Sequence, residues 1–250
     1  MVSCDAGMSP TRGQTIVNNR TVSYLRWGDA PLHIVLLHGV TSSARSWWRV
    51  APVLANLGYS VTAFDMPGHG ESGTLPGHQI TSVAEHIVAA CRTLAIEVDT
   101  LVGHSWGGAT AIAAAAALQP RQLVLIDPLV RLTAAWGAAV IERYAEGIGQ
   151  AVHQTTPWLT ARNKLWHRCD VLWKAEALQQ CRREAVEGLF LHSGDWELSA
   201  AYETLPAATL CLVAAPEATI ISAADQTALQ QHCTQPEALY RQIEGTDHNM

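Results

Sequence analysis

The stretch Gly103-His104-Ser105-Trp106-Gly107-Gly108 constrains the fold more than any other, because it sets a serine among small residues between an apolar run and an alanine-rich one. Val98-Asp99-Thr100-Leu101-Val102 precedes it as a short strand, and Ala109-Thr110-Ala111-Ile112 with five further alanines follows it as a strong helix former. Strand, turn and helix in that order predict a sharp elbow at Ser105. The serine is forced there into a sparsely populated backbone conformation, and Gly103 and Gly107 let strand and helix approach without a Cβ collision. Such a turn lifts the Ser105 hydroxyl above the sheet edge. It also puts the Trp106 N–H at a helix start, where negative charge is favoured, so this amide is one candidate oxyanion donor.

Two other segments fit the same architecture. Leu32 to Val40 reads as a buried strand ending in His38-Gly39, where Gly39 allows the backbone of Val40 to approach a bound carbonyl and makes the Val40 N–H the second candidate donor. Val61-Thr62-Ala63-Phe64-Asp65 is another apolar strand, running into the loop Gly68-His69-Gly70-Glu71-Ser72, which reads as scaffolding near the pocket. Together these three segments resemble the α/β-hydrolase family. The resemblance implies a mostly parallel eight-stranded sheet with helices on both faces and a helical cap inserted after the sixth strand.

The wider pattern agrees with that fold class. Strands at 32–37, 60–65, 98–104, 122–126, 208–214 and 238–243 alternate with helices near 45–57, 80–96, 106–118 and 222–233, which implies a parallel sheet covered on both faces. A hairpin of Thr15-Ile16-Val17 and Thr21 to Trp27, turning at Asn18-Asn19, is expected at the sheet's outer edge. Between Pro128 and Leu205 no strand is evident, but Trp136, Trp158, Trp166, Trp173 and Trp196 lie among helical patterns. The chain therefore divides into a core of 1–128 and 205–250 and a helical cap of 129–204, lying over the carboxyl ends of the strands where ligands bind in open α/β sheets. His38, Gly39 and Trp136 are expected at the substrate pocket, and the tryptophans suggest an apolar acyl or ring-bearing substrate.

A serine hydroxyl is a weak nucleophile until a base takes its proton, and a carboxylate should orient that base. In the family resembled the order is serine, acid, histidine, with the histidine after the last strand. Gly245-Thr246-Asp247-His248 fills that place, making His248 the base. The acid has two candidate positions: Asp127 at the tip of Leu123-Val124-Leu125-Ile126, and Glu217 after Leu212-Val213-Ala214-Ala215-Pro216, where many relatives carry aspartate. Asp127 is favoured over Glu217, with Asp225, Asp247 or a dyad lacking an acid as remaining possibilities. Relatives usually continue into a helix beyond the histidine. Here Asn249 and Met250 follow it, so the expectation is either a chain cut short of that helix or a terminus that side-chain contacts keep from fraying.

At 250 residues the chain suits one α/β domain with an insertion. A net charge of −6 from scattered carboxylates, with no Lys/Arg stripe, argues against nucleic acid as a partner. Met1 to Thr21 has no leader-like pattern and no run of about 18 apolar residues occurs, which points to no membrane association and a cytoplasmic location. The cysteines at 4, 91, 169, 181, 211 and 233 form no C-x-x-C pair and are expected as free buried thiols. No metal-ligand spacing is present, and neither metal nor cofactor is expected.

The residues thus point to a serine hydrolase that cleaves an ester or related acyl bond of a small, largely apolar substrate through an acyl-enzyme. A serine at the elbow sets the chain apart from family members that open epoxides or remove halides with an aspartate there. Two other functions remain open: a serine-dependent carbon–carbon hydrolase or cofactor-free lyase, and a non-catalytic small-molecule receptor on the same fold.

Overall fold

The computed structural model describes residues 4, 7–206, 208–233 and 238–249. The chain runs β1 (Thr11–Val17), β2 (Arg20–Trp27), β3 (His33–Leu37), a 3-10 turn (Ala44–Trp47), α1 (Val50–Asn56), β4 (Ser60–Phe64), α2 (Ile80–Thr93), β5 (Val98–His104), α3 (Trp106–Leu118) and β6 (Gln122–Ile126). It continues through β7 (Arg131–Leu132), α4 (Ala134–Ala145), α5 (Val152–Arg162), α6 (Arg168–Gln180), α7 (Arg183–His192), β8 (Trp196–Glu197), a 3-10 turn (Ser199–Thr204), β9 (Ala208–Val213), α8 (Ala223–His232) and β10 (Leu239–Gln242).

Eight strands form one sheet in the order β1-β2-β4-β3-β5-β6-β9-β10. The β1–β2 hairpin and the β2–β4 pair are antiparallel, while the pairs from β4 to β10 are parallel. The hairpin turns at Asn18 and Asn19, both with positive φ, a conformation that asparagine tolerates better than most residues. Strands buried on both faces read as continuous apolar runs, and their side chains alternate between two clusters. Val35 and Leu37 join the larger cluster with α2 and α3. Ile34 and Leu36 join a smaller one with Trp47 and Ala51 around α1. Coverage thins on the α1 side toward β6 and β9, where Val124, Ile126, Leu210 and Leu212 are half-buried.

Three expectations need correction. The helix near 45–57 is split into a 3-10 turn and α1, because Pro52 has no N–H to give to a continuous helix and fits only within a first turn. The segment after β6 is not purely helical: β7 pairs with β8, and Arg131 there binds both Glu197 (2.5 Å) and Asp225 (2.9 Å). Two residues per strand are too few to leave a periodic signal in a sequence.

The third correction concerns the thiols. Cys4 and Cys169 form a disulfide across a separation of 165 residues, tying the N-terminal segment to the first turn of α6. The bond corrects the expectation of free thiols at these two positions. Cys91, Cys181, Cys211 and Cys233 are free thiols. Among the described residues no helix is long and apolar enough to cross a membrane. Reducing the bond, or Cys169→Ser, is expected to lower Tm, with a chain-entropy ceiling of about 5 kcal/mol for so long a loop. A melting curve unchanged by dithiothreitol would show that the link contributes nothing.

Candidate active site

β5 ends at His104 and α3 begins at Trp106, leaving Ser105 alone between them with φ +53° and ψ −119°. The glycines around it are dictated by contact. A Cβ on Gly103 would lie 2.3 Å from the Gly107 carbonyl oxygen, and one on Gly107 would lie 2.3 Å from that of Leu37. Helix and sheet could not meet this closely with larger residues, and the buried Ala109, Ala111 and Ala114 extend the same fit along α3. The Ser105 backbone is locked as well: its N–H donates to Ile126 O (3.0 Å), and its carbonyl accepts from Leu129 N (2.9 Å).

His248, five residues beyond Ile243, meets this serine. Its Nε2 lies 2.9 Å from Ser105 Oγ, and its Nδ1 lies 2.6 Å from Asp127 Oδ2. With the carboxylate accepting from Nδ1–H, Nε2 carries the lone pair that faces the hydroxyl. Asp127 is fully buried, at φ +39° just past the tip of β6. Burial pushes its carboxyl up, but hydrogen bonds from His248, Thr219 Oγ1 (2.6 Å) and Ala214 N (3.2 Å) outweigh that and hold it below the ordinary value. The turn after β9 thus furnishes Asp127 with donors. Glu217 lies exposed in that turn, Asp225 pairs with Arg131, and Asp247 accepts from Asn249 N. Asp127 is the carboxylate brought to His248; Glu217 is not.

The segment carrying His248 is held by the elbow itself. His104 Nε2 donates to the His248 carbonyl (2.7 Å), and the two rings lie 4.9 Å apart. Burial, with His248 adding to it, lowers His104 to about 4, so the ring stays a neutral donor.

Gly39 packs directly against the elbow: a Cβ there would lie 3.0 Å from both Ser105 Cβ and His104 Nδ1. Val40, the next residue, is buried. The turn is set by two buried histidines whose tautomers are fixed. His38 donates from Nδ1 to Gly39 O (2.7 Å) and accepts from Met66 N at Nε2 (2.9 Å). His69 accepts from Thr41 N (2.9 Å) and donates to Pro67 O (3.0 Å). His38 is therefore a strut, not the pocket residue expected of it, because both ring nitrogens are committed to backbone and the ring has no exposed surface. The loop after β4 is braced by Asp65, which accepts from Ala44 N (2.8 Å), while a Cβ on Gly70 would overlap its carboxylate. Trp136, half-buried on α4, stacks edge-on against Phe190 at 5.9 Å.

One residue near this site gave no sequence signal. Lys174, on α6, reaches down to Thr41 and donates to its carbonyl (2.8 Å) and hydroxyl (2.7 Å). Among the described residues no three metal-ligating side chains cluster.

A family model for the alpha/beta hydrolase fold matches residues 33–145, which contain the β3 turn, the elbow and Asp127. A solved structure of E-2-(acetamidomethylene)succinate hydrolase superposes with a TM-score of 0.79, at 22% identity, over 96% of this chain and 92% of that one. The chain has the α/β-hydrolase fold. Among curated relatives, an (E)-2-((N-methylformamido)methylene)succinate hydrolase of Acinetobacter baylyi is 30% identical over 136 residues, 53% of this chain and 51% of that protein. An N-formylmaleamate deformylase of Pseudomonas putida is 29% identical over 184 residues, 71% of this chain and 68% of that protein. The matched segment spans about half of the first relative's length. The first of these relatives is named a hydrolase and the second a deformylase.

Proposed function

We propose that this protein is a serine hydrolase acting on a small acyl substrate through an acyl-enzyme. The observation that carries the reading is the continuous line Ser105 Oγ, His248 Nε2, His248 Nδ1, Asp127 Oδ2, with hydrogen bonds of 2.9 and 2.6 Å. Ser105 attacks the acyl carbonyl as His248 takes its proton, and the negative charge forms on the former carbonyl oxygen. The Val40 and Trp106 amides are assigned to that oxygen, Trp106 adding the favourable end of the α3 dipole. Protonated His248 then gives its proton to the leaving group, and water repeats the sequence to free Ser105. Asp127, held ionised by its donors, keeps Nδ1 protonated throughout. The cap assigned to residues 129–204, which contains helices α4 to α7, is taken to cover the acyl side.

The bond cleaved is an ester or a related acyl bond. The relatives favour a second reading within the same chemistry, since their names carry formamido, formyl and acetamido groups. An N-acyl bond needs His248 to protonate a poorer leaving group but asks nothing else of the site. Hydrolysis of p-nitrophenyl acetate and butyrate beside N-formyl and N-acetyl amides tests both. Turnover of either class supports the hydrolase, and turnover of neither, with tight ligand binding, would favour a receptor.

A further inference from the structure

We propose that Lys174 is the receptor for a carboxylate on the substrate, so that the acyl substrates of this enzyme are anionic. The inference rests on Ser105 being the nucleophile and adds the chemical class of what it attacks.

Lys174 lies among the helices between β6 and β9, and its ammonium is drawn inward to the turn that carries Val40. Thr41 follows Val40 directly, and the Thr41 hydroxyl in turn donates to Val40 O (2.7 Å). Two extended residues span about 7 Å, and the bond from Lys174 to Thr41 O adds 2.8 Å. The ammonium therefore lies within about 10 Å of the Val40 N–H. A carboxylate a few carbons from the reacting carbonyl spans such a gap.

The charge is uncompensated. Lys174 is partly buried, and a charge withdrawn even in part from water is stabilised when an opposite charge answers it. Among the described residues no carboxylate forms a salt bridge with Lys174, and its two acceptors are both on neutral Thr41. Three ammonium protons against two acceptors leave one donor without a protein partner. Its field reaches the site: beyond the dominant effect of burial, it helps lower the rings of His38, His69 and His104. Burial lowers Lys174 itself to about 8, which still leaves it mostly charged at neutral pH. A latch between α6 and the Thr41 turn needs only a neutral donor, which costs less to bury. A cation retained in that position, with a proton to spare, calls for an anion from outside the chain.

The test uses Ser105→Ala protein, in which binding is read without turnover. Isothermal titration compares monomethyl succinate, an anionic ester, with dimethyl succinate, its neutral counterpart. The anion is expected to bind at least about tenfold tighter, the lower range for a hydrogen bond to a charged group. In Ser105→Ala/Lys174→Met and Ser105→Ala/Lys174→Gln the ratio is expected to fall to near one. A purely structural Lys174 would weaken both ligands together and leave the ratio intact. Equal binding to the parent, no binding of either ligand, or a preference that survives both substitutions overturns the proposal. Hydrolysis retained in Ser105→Ala, with the anion preference intact, would instead count against Ser105 chemistry, so the two failures are separable.

Discussion

Ser105→Ala is expected to lower kcat on any acyl substrate by about a millionfold, the scale seen when the nucleophile of such a relay is removed. The loss is large because the side chain makes the bond that the rest of the site serves: His248 Nε2, 2.9 Å away, has no other substrate-side proton to accept. His248→Ala should fall by a similar factor. The double variant should be little worse than either single one, since groups that act as a unit are not additive. KM should move far less than kcat, as neither side chain supplies ground-state binding. The protein should remain folded, because the elbow is held by backbone bonds from Ser105 to Ile126 and Leu129 and by glycine contacts that alanine at 105 leaves in place. Additive losses in the double variant would show that the two residues do not share a step.

Asp127→Asn should cost about ten-thousandfold in kcat at neutral pH. The reason lies in the proton on His248. An ionised carboxylate 2.6 Å from Nδ1 requires the proton there and leaves Nε2 free to act on Ser105. An amide in its place can donate to Nδ1, which moves the ring proton to Nε2 and removes the base. Asp127→Ala should add a folding defect of about 1–3 kcal/mol, because Thr219 Oγ1 and the Ala214 and Ile220 amides lose a buried acceptor. Glu217→Gln should leave the rate within about twofold, since the residue faces solvent. Steady-state kinetics on the three variants, with melting curves alongside, separate these outcomes. A defect in Glu217→Gln comparable to that in Asp127→Asn would contradict the assignment.

Much of this site is legible along the chain because its parts carry local signatures. The elbow needs glycines two residues to either side of Ser105, and Gly103 and Gly107 are irreplaceable for contacts that any strand–turn–helix of this kind must make. The alternation of strands and helices signals a mostly parallel sheet covered on both faces in the same way. The acid was less readable. Asp127 and Glu217 both follow strand tips, and nothing local tells which side chain turns inward. That is settled by Thr219 and the Ala214 and Ile220 amides, which lie about 90 residues from Asp127 and converge on it in space. The alanines at 214 and 215 are not a defect in an acid-bearing strand but part of the backbone that serves an acid elsewhere.

Other features escaped for the same reason. His38 next to Gly39 suggests a pocket lining, yet its role depends on Met66, brought near by a neighbouring strand. The Cys4–Cys169 bond has no spacing motif across 165 residues. Lys174 is a single lysine in a helix, and only the approach of Thr41 makes it notable. Each depends on a tertiary meeting that periodicity and propensity do not encode.

The account rests on one hydroxyl being activated by one imidazole. Reaction with a fluorophosphonate probe, followed by intact mass and peptide mapping, tests this most directly. The wild-type chain should take up one adduct, located on Ser105; Ser105→Ala should take up none, and His248→Ala should label orders of magnitude more slowly. An adduct mapped to another residue, or labelling of Ser105→Ala at the wild-type rate, would contradict it.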